Sequence, residues 1–137
     1  MRIAFATDDE NETTRAVAAA LAGDGHEVIR PDGSPSWPDL GRFVGRAVVD
    51  GDADYGVVMC WTGTGTAIAA NKVPGVRAAL AWDPWIARGA RLWNDANVLA
   101  MSLKRLAPDV AVEVLRAFLG ATEPDPGEAA AIAAIEP

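Results

Sequence analysis

Cys60 is the single cysteine of this 137-residue chain, and it closes an apolar run, Tyr55 to Cys60, just before Trp61 and the turn Thr62-Gly63-Thr64-Gly65-Thr66. A thiol that ionises can act as a base or a nucleophile, and helix N-terminal amides stabilise its negative charge. The Gly/Thr turn has the composition of an anion or oxyanion cradle, because glycine lets a ligand approach the backbone while the amides and the dipole of a following helix point at one spot. The same residues also read as a tight turn beside a small buried side chain, since cysteine is among the most buried residue types. A dinucleotide fingerprint fails here: its third glycine would fall at Ile68, and the turn follows the third strand, not the first. The phosphate-loop NTPase pattern is absent.

Other residues could join this chemistry. Asp8 and Asp9 follow the first strand and suit the hydroxyls of a polyol, or else form a solvated acidic turn or cap. Asn94-Asp95-Ala96-Asn97 offers neutral amides before the fifth strand, for sugar hydroxyls or for an Asx turn. Trp37, Trp61, Trp82, Trp85 and Trp93 all fall in loops or at element ends, where aromatic faces stack on sugar C–H surfaces or anchor an interface. Trp61 and Trp93 are the strongest ligand candidates. His26 sits in a Gly-His-Glu turn on the wrong side of the expected sheet.

The elements that must position these residues follow from apolar runs and their punctuation. Strands are predicted at Ile3 to Ala6, His26 to Ile29, Tyr55 to Cys60, Val76 to Ala81 and Val98 to Met101. Between them, helices are predicted over Glu12 to Ala22, Leu40 to Val49, Ala67 to Asn71, from Asp83-Pro84 onward, and over Asp109 to Leu119; Asp83 is the expected N-cap and Pro84 the first helical residue. Such alternation calls for a three-layer, Rossmann-like α/β fold with a five-stranded parallel sheet, wrapped on both faces by right-handed crossovers. Ligands of such sheets bind beyond the carboxyl ends of the strands. Residues 1–120 form the expected α/β domain, and residues 121–137 an acidic Ala/Pro-rich extension or helix.

Composition narrows the function. Twelve Lys and Arg against nineteen Asp and Glu give a net charge of −7, which argues against nucleic acid and anionic membrane surfaces. One cysteine and one histidine exclude a multi-ligand zinc site, so no metal is expected. No apolar run approaches the roughly 20 residues needed to span a bilayer, and the start, Met-Arg-Ile-Ala-Phe-Ala-Thr-Asp-Asp-Glu, predicts a cytoplasmic location.

Several stretches taken together carry a resemblance: Ile3 to Asp8, Gly25-His26-Glu27-Val28, Cys60-Trp61-Thr62-Gly63-Thr64-Gly65, Ala69 to Ala78 (Ala-Ala-Asn-Lys-Val-Pro-Gly-Val-Arg-Ala), Asp83-Pro84 and Asn94 to Leu99. In this order and spacing, the chain up to about residue 119 resembles the type B ribose-5-phosphate and galactose-6-phosphate isomerase family. The resemblance implies a homodimer with sites at the subunit boundary and cofactor-free aldose–ketose isomerisation of a sugar or sugar phosphate. It implies Cys60 as the base that moves a proton between C2 and C1, the amides of Gly63, Thr64, Gly65 and Thr66 as holders of the enediolate oxygen, and Thr62 as an aid at the hydroxyls. Asp8 would hold sugar hydroxyls, and Asn94 of the partner would complete the pocket.

The departures from the family pattern are as informative. Asp8-Asp9 stands for Asp-His, Trp93-Asn94-Asp95 for His-Asn-Asp, Ser36-Trp37-Pro38 for Asp-Tyr-Pro, and Cys60-Trp61-Thr62 for Cys-Gly-Thr. Loss of the second histidine leaves ring opening without an assigned group. The Gly-Gly-Arg-His phosphate clamp has no counterpart: after Arg116 the chain has no basic residue, only Glu123, Asp125, Glu128 and Glu136. Arg88 and Lys104 remain as candidate phosphate ligands, with Arg91 and Arg105 read as interface or surface ion pairs. A second function fits these losses, that of a non-catalytic member holding a small unphosphorylated or aromatic ligand in a Trp-lined pocket.

Overall fold

The protein is described here by a computed structural model, which covers residues 1–121 and 123–137; Thr122, within the expected C-terminal extension, lies outside the described residues. Five strands, β1 (Arg2–Thr7), β2 (Glu27–Ile29), β3 (Tyr55–Cys60), β4 (Ala78–Leu80) and β5 (Val98–Ser102), pair in parallel in the order β2-β1-β3-β5-β4. The helices α1 (Glu12–Gly23), α2 (Trp37–Val49), α3 (Thr64–Asn71), α4 (Pro84–Asn94) and α5 (Pro108–Gly120) cover both faces.

The apolar runs explain the layers. β3 and β5 are buried along nearly their whole length, as strands covered on two sides must be. On one face Ile3, Phe5, Val57, Met59, Leu99 and Met101 pack with Leu21, Leu115 and Phe118 of α1 and α5. On the other, Ala4, Ala6, Val58 and Val98 pack with Leu40 and Val44 of α2 and Ala67 and Ala70 of α3.

The chain leaves β1 toward β2 on one side and returns to β3 on the other, so the direction of winding reverses between β1 and β3. That crevice is where open α/β sheets bind ligands. Asp8 and Cys60 stand at its two banks: Asp8 N–H donates to Met59 O at 3.3 Å, and Cys60 O accepts from Leu103 N–H at 3.0 Å.

Most elements lie within a residue of the sequence expectation, and three differ by more. α2 starts at Trp37 and not at Leu40, because Pro38 occupies a first-turn position whose missing N–H needs no partner. α3 starts at Thr64 and not at Ala67, so three of the five residues of the expected turn are already helix. β4 spans Ala78–Leu80, shorter than Val76 to Ala81. Asp83 does cap α4, accepting the Ile86 N–H at 2.8 Å.

The last residues run as a 3₁₀ turn, Pro126–Glu128, and a short helix α6, Ala129–Ala133. They lie against the same chain: Asp125 N–H donates to Leu92 O at 2.7 Å, and Glu136 pairs with Arg77 at 2.8 Å. No helix among the described residues is long and apolar enough to cross a membrane.

Candidate active site

The turn from β3 into α3 is built around the sulfur. Gly63, the residue before the helix, has φ +77°, a conformation side chains rarely adopt; a Cβ there would also stand 2.6 Å from Leu80 Cδ1 and 2.8 Å from the Met101 carbonyl carbon. This sharp bend aims the Gly63 N–H at Cys60 Sγ, 3.1 Å away, and the Thr66 hydroxyl donates to the same sulfur at 3.3 Å. Cys60 itself is 6% exposed.

Burial alone pushes the Cys60 thiol up. Donation from the Thr66 hydroxyl and the backbone amides of Thr66, Gly63 and Thr62 outweighs it, so the thiol sits below its ordinary pKa. The arrangement can therefore hold a thiolate, the form that accepts a proton from carbon. It also changes the expected division of labour. The Gly63 amide, expected to face an enediolate oxygen, is turned onto the sulfur, and the Thr64 N–H donates to Thr62 Oγ1 at 3.3 Å. Thr62 and Thr64 share a hydroxyl hydrogen bond of 2.7 Å. Gly65 lies in the first turn of α3, where N–H groups have no carbonyl partner within the helix.

Sγ opens on a pocket of about 310 Å³ lined by Asp8, Trp37, Cys60, Trp61, Thr62, Thr64 and Gly65. The Trp37 ring closes over Gly65: a Cβ at that position would lie 3.1 Å from two ring carbons. Trp61 forms another wall. Its indole N–H donates to Asp9 Oδ2 at 3.1 Å, its carbonyl accepts from Ser102 Oγ at 2.6 Å, and Lys104 Nζ lies 4.7 Å from its ring centroid. The Trp61 hydrogen bond, the neighbouring Glu10 amide and the Lys104 charge hold the Asp9 carboxyl below the usual carboxylate range. Asp8 behaves oppositely, its carboxyl raised by loss of water around it and by the charge of Asp9.

Beside this pocket, and sharing Asp8 with it, is a larger one of about 480 Å³ whose lining includes Thr7, Asp9, Glu10, Arg30 and Ser34. Arg30 and Ser34, which follow β2, were given no role from the sequence. The signal was there: Arg30 and the Pro31-to-Pro35 loop follow a strand that also ends on this side. Arg30 lies with its guanidinium carbon 4.7 Å from the Phe5 ring centroid.

The expected convergence of five tryptophans on one rim does not occur within the chain. Trp37 and Trp61 line the Cys60 pocket, whereas Trp85 and Trp93 pack edge to face on α4 with centroids 5.3 Å apart. α4 runs antiparallel to the strands and carries its last residues, Trp93 and Asn94, to the other end of the sheet, while Trp82 and Trp85 stay exposed between β4 and the first turn of α4 and line no part of the Cys60 pocket. Asn94 lines a separate pocket of about 230 Å³ with Asn71, Arg77 and Ile135. Arg88 is exposed on α4, and Arg105 after β5. Arg91 is not a surface ion pair but a buried one, 3% exposed, bonded to Asp95, Ala96 O and the Tyr55 hydroxyl.

A family model described as Ribose/Galactose Isomerase matches residues 3–135. The chain belongs to the ribose/galactose isomerase family. Within this family it is similar to D-erythrulose-4-phosphate isomerase of Pectobacterium atrosepticum, with 39% identity over 88 residues, 64% of this chain and 58% of that protein. It is equally similar to ribose-5-phosphate isomerase B of Escherichia coli K12, 39% identical over 85 residues that make up 62% of this chain and 57% of that one. The matched segments thus span less than two thirds of the length of these relatives. The likeness of fold is broader: the ribose-5-phosphate isomerase B structure from Clostridium thermocellum superposes with a TM-score of 0.89 at 36% identity, over 98% of this chain and 95% of that one.

Proposed function

We propose that this family member is a cofactor-independent aldose–ketose isomerase of sugar phosphates, with Cys60 as its base. The observation that carries the proposal is the thiol held by the Gly63 amide and the Thr66 hydroxyl at the floor of an open pocket. The names of its relatives support the substrate class.

In this reaction the Cys60 thiolate removes the proton from C2 of an open-chain aldose. The C–H electron pair forms the C1–C2 double bond, and the carbonyl pair moves onto O1, giving an enediolate. The Gly65 amide at the start of α3 faces that oxygen with the helix dipole behind it. A proton passes from O2 to O1 with the Thr62–Thr64 hydroxyl pair as relay, and the thiol returns its own proton to C1 as C2–O becomes the ketone. Asp8, with its raised pKa, holds a sugar hydroxyl, and Asp9 acts beside it through Trp61. Lys104 and Arg88 are the cations left for the phosphate.

Residues 1–120 carry the catalytic fold and residues 121–137 are its extension. The enzyme works as a homodimer in which Asn94 and Trp93 of one subunit reach the Cys60 pocket of the other. The exposed Ile68, Trp82, Trp85 and Trp93 support such pairing, because that much apolar surface is unusual on a monomer. It acts in the cytoplasm, where a single thiol stays reduced.

The test is isomerisation of four-, five- and six-carbon aldose phosphates. Cys60→Ala is expected to lose about 10³-fold or more in turnover with an unchanged circular dichroism spectrum, in line with removal of a general base. An active Cys60→Ala protein overturns the assignment. Mixing inactive Cys60→Ala and Asn94→Ala chains restores part of the activity if sites are shared between subunits.

A further inference from the structure

Trp61 is held far more firmly than its exposure requires. The residue is 58% exposed and adds little to either core cluster, yet it is fixed at three points: the indole N–H on Asp9, the carbonyl on Ser102 Oγ, and the ring face under Lys104. Its anchors come from the loop after β1 and from the end of β5 and the residues beyond it, on opposite sides of β3. Immobilising a large side chain costs conformational entropy, so two anchors on an exposed ring, over a backbone itself tied down by Ser102, point to a role for its position.

That position borders one cavity directly and a second through its partner. Trp61 lines the 310 Å³ pocket with Cys60, its partner Asp9 lines the 480 Å³ pocket with Glu10, Arg30 and Ser34, and Asp8 lines both. The one polar group of the indole is spent on Asp9, so the ring offers the Cys60 side an inert wall. Where the family pattern has glycine, this chain has an indole.

We propose that the Trp61–Asp9 contact is a chain-length gauge, a specificity-determining pair that confines the sugar to the compartment beside Cys60 and keeps its carbon chain out of the adjoining pocket. The proposal rests on the isomerase function above. Its substrates are accordingly the shorter sugar phosphates, of four or five carbons. Opening that contact joins the two cavities into one trough whose far end, with Thr7, Glu10, Arg30 and Ser34, suits the hydroxyls of a longer chain. Lys104, a candidate for the phosphate, also covers the face of the Trp61 ring.

The experiment compares wild type, Trp61→Gly and Asp9→Ala in two measurements: kcat/KM for four-, five- and six-carbon aldose phosphates, and calorimetric affinity for the unreactive sugar-alcohol phosphates of the same lengths. Wild type is expected to favour four or five carbons over six, and Trp61→Gly to shift that ratio about tenfold or more toward six, the scale on which a pocket discriminates by one carbon. Asp9→Ala, which leaves the β3–α3 turn intact, shifts it in the same direction by less. If wild type turns over sugar phosphates and neither variant moves the ratio, or if wild type prefers six carbons, the gauge is overturned and the isomerase assignment stands. If no sugar phosphate is isomerised but the affinity ratio shifts, the assignment fails and the gauge stands. Absence of turnover together with an unmoved affinity ratio, or with no binding of the three probes, removes both.

Discussion

The two ends of the sheet carry similar polar residues and use them in opposite ways. At the amino ends of the strands the charges satisfy one another: Arg91 holds Asp95, Ala96 O and the Tyr55 hydroxyl, and Arg77 holds Asp95 and Glu136. At the carboxyl ends the donors converge on one sulfur, and the Asp8 carboxylate lines both pockets with no side-chain cation among the described residues paired to it. Polar groups become available for chemistry where the backbone gives them a ligand-sized space in place of a partner. The first end stabilises the fold; the second is where the proposed substrate would complete the pairing.

This contrast can be broken from either side. The largest stability effect is expected at the closed end, where Arg91→Ala leaves the Tyr55 hydroxyl and Ala96 carbonyl without their donor and lowers the unfolding free energy by about 3 kcal/mol. Urea denaturation measures it, and the folded variant should keep the wild-type kcat. Gly63→Ala tests the open end: with φ +77° and a Cβ driven toward the Met101 backbone, about 2 kcal/mol is lost, and turnover falls with it because the amide leaves the sulfur. An equal loss of stability with unchanged turnover would show that the bend does not serve Cys60.

Thr66→Val, nearly isosteric, removes one donor from the thiolate. The active form is the deprotonated one, so the rising limb of the pH–kcat/KM profile lies below the ordinary thiol range in wild type and moves to higher pH in the variant. A limb that stays in place would take Thr66 out of the account. The smallest effect belongs to Glu136→Gln, whose half-exposed pair with Arg77 is expected to contribute about 0.5 kcal/mol, diminishing as salt is added.

Much of this was legible in the chain because the apolar runs are short, bounded and covered on both faces. β3 was readable to the residue, and with it the place of Cys60 at a strand end before a Gly/Thr turn. The helix starts were harder. Pro35 and Pro38 look like loop punctuation until Pro38 is seen in the first turn of α2, and Thr64 to Thr66 have turn composition while forming helix. The Trp61–Asp9 bond joins residues 52 positions apart, and only the adjacency of β1 and β3 brings them together. The tryptophans misled for the same reason: proximity to element ends says nothing about which end of the sheet each reaches.

A single cysteine, chemically softened by its hydrogen bonds, also makes the protein its own reporter. One equivalent of iodoacetamide meets one reactive atom, so its uptake counts intact sites in a preparation without knowledge of the natural reaction. A sugar seated over the sulfur should slow that alkylation, and an environment-sensitive dye attached there would sit between the indoles of Trp37 and Trp61 and register occupancy as a change in quenching.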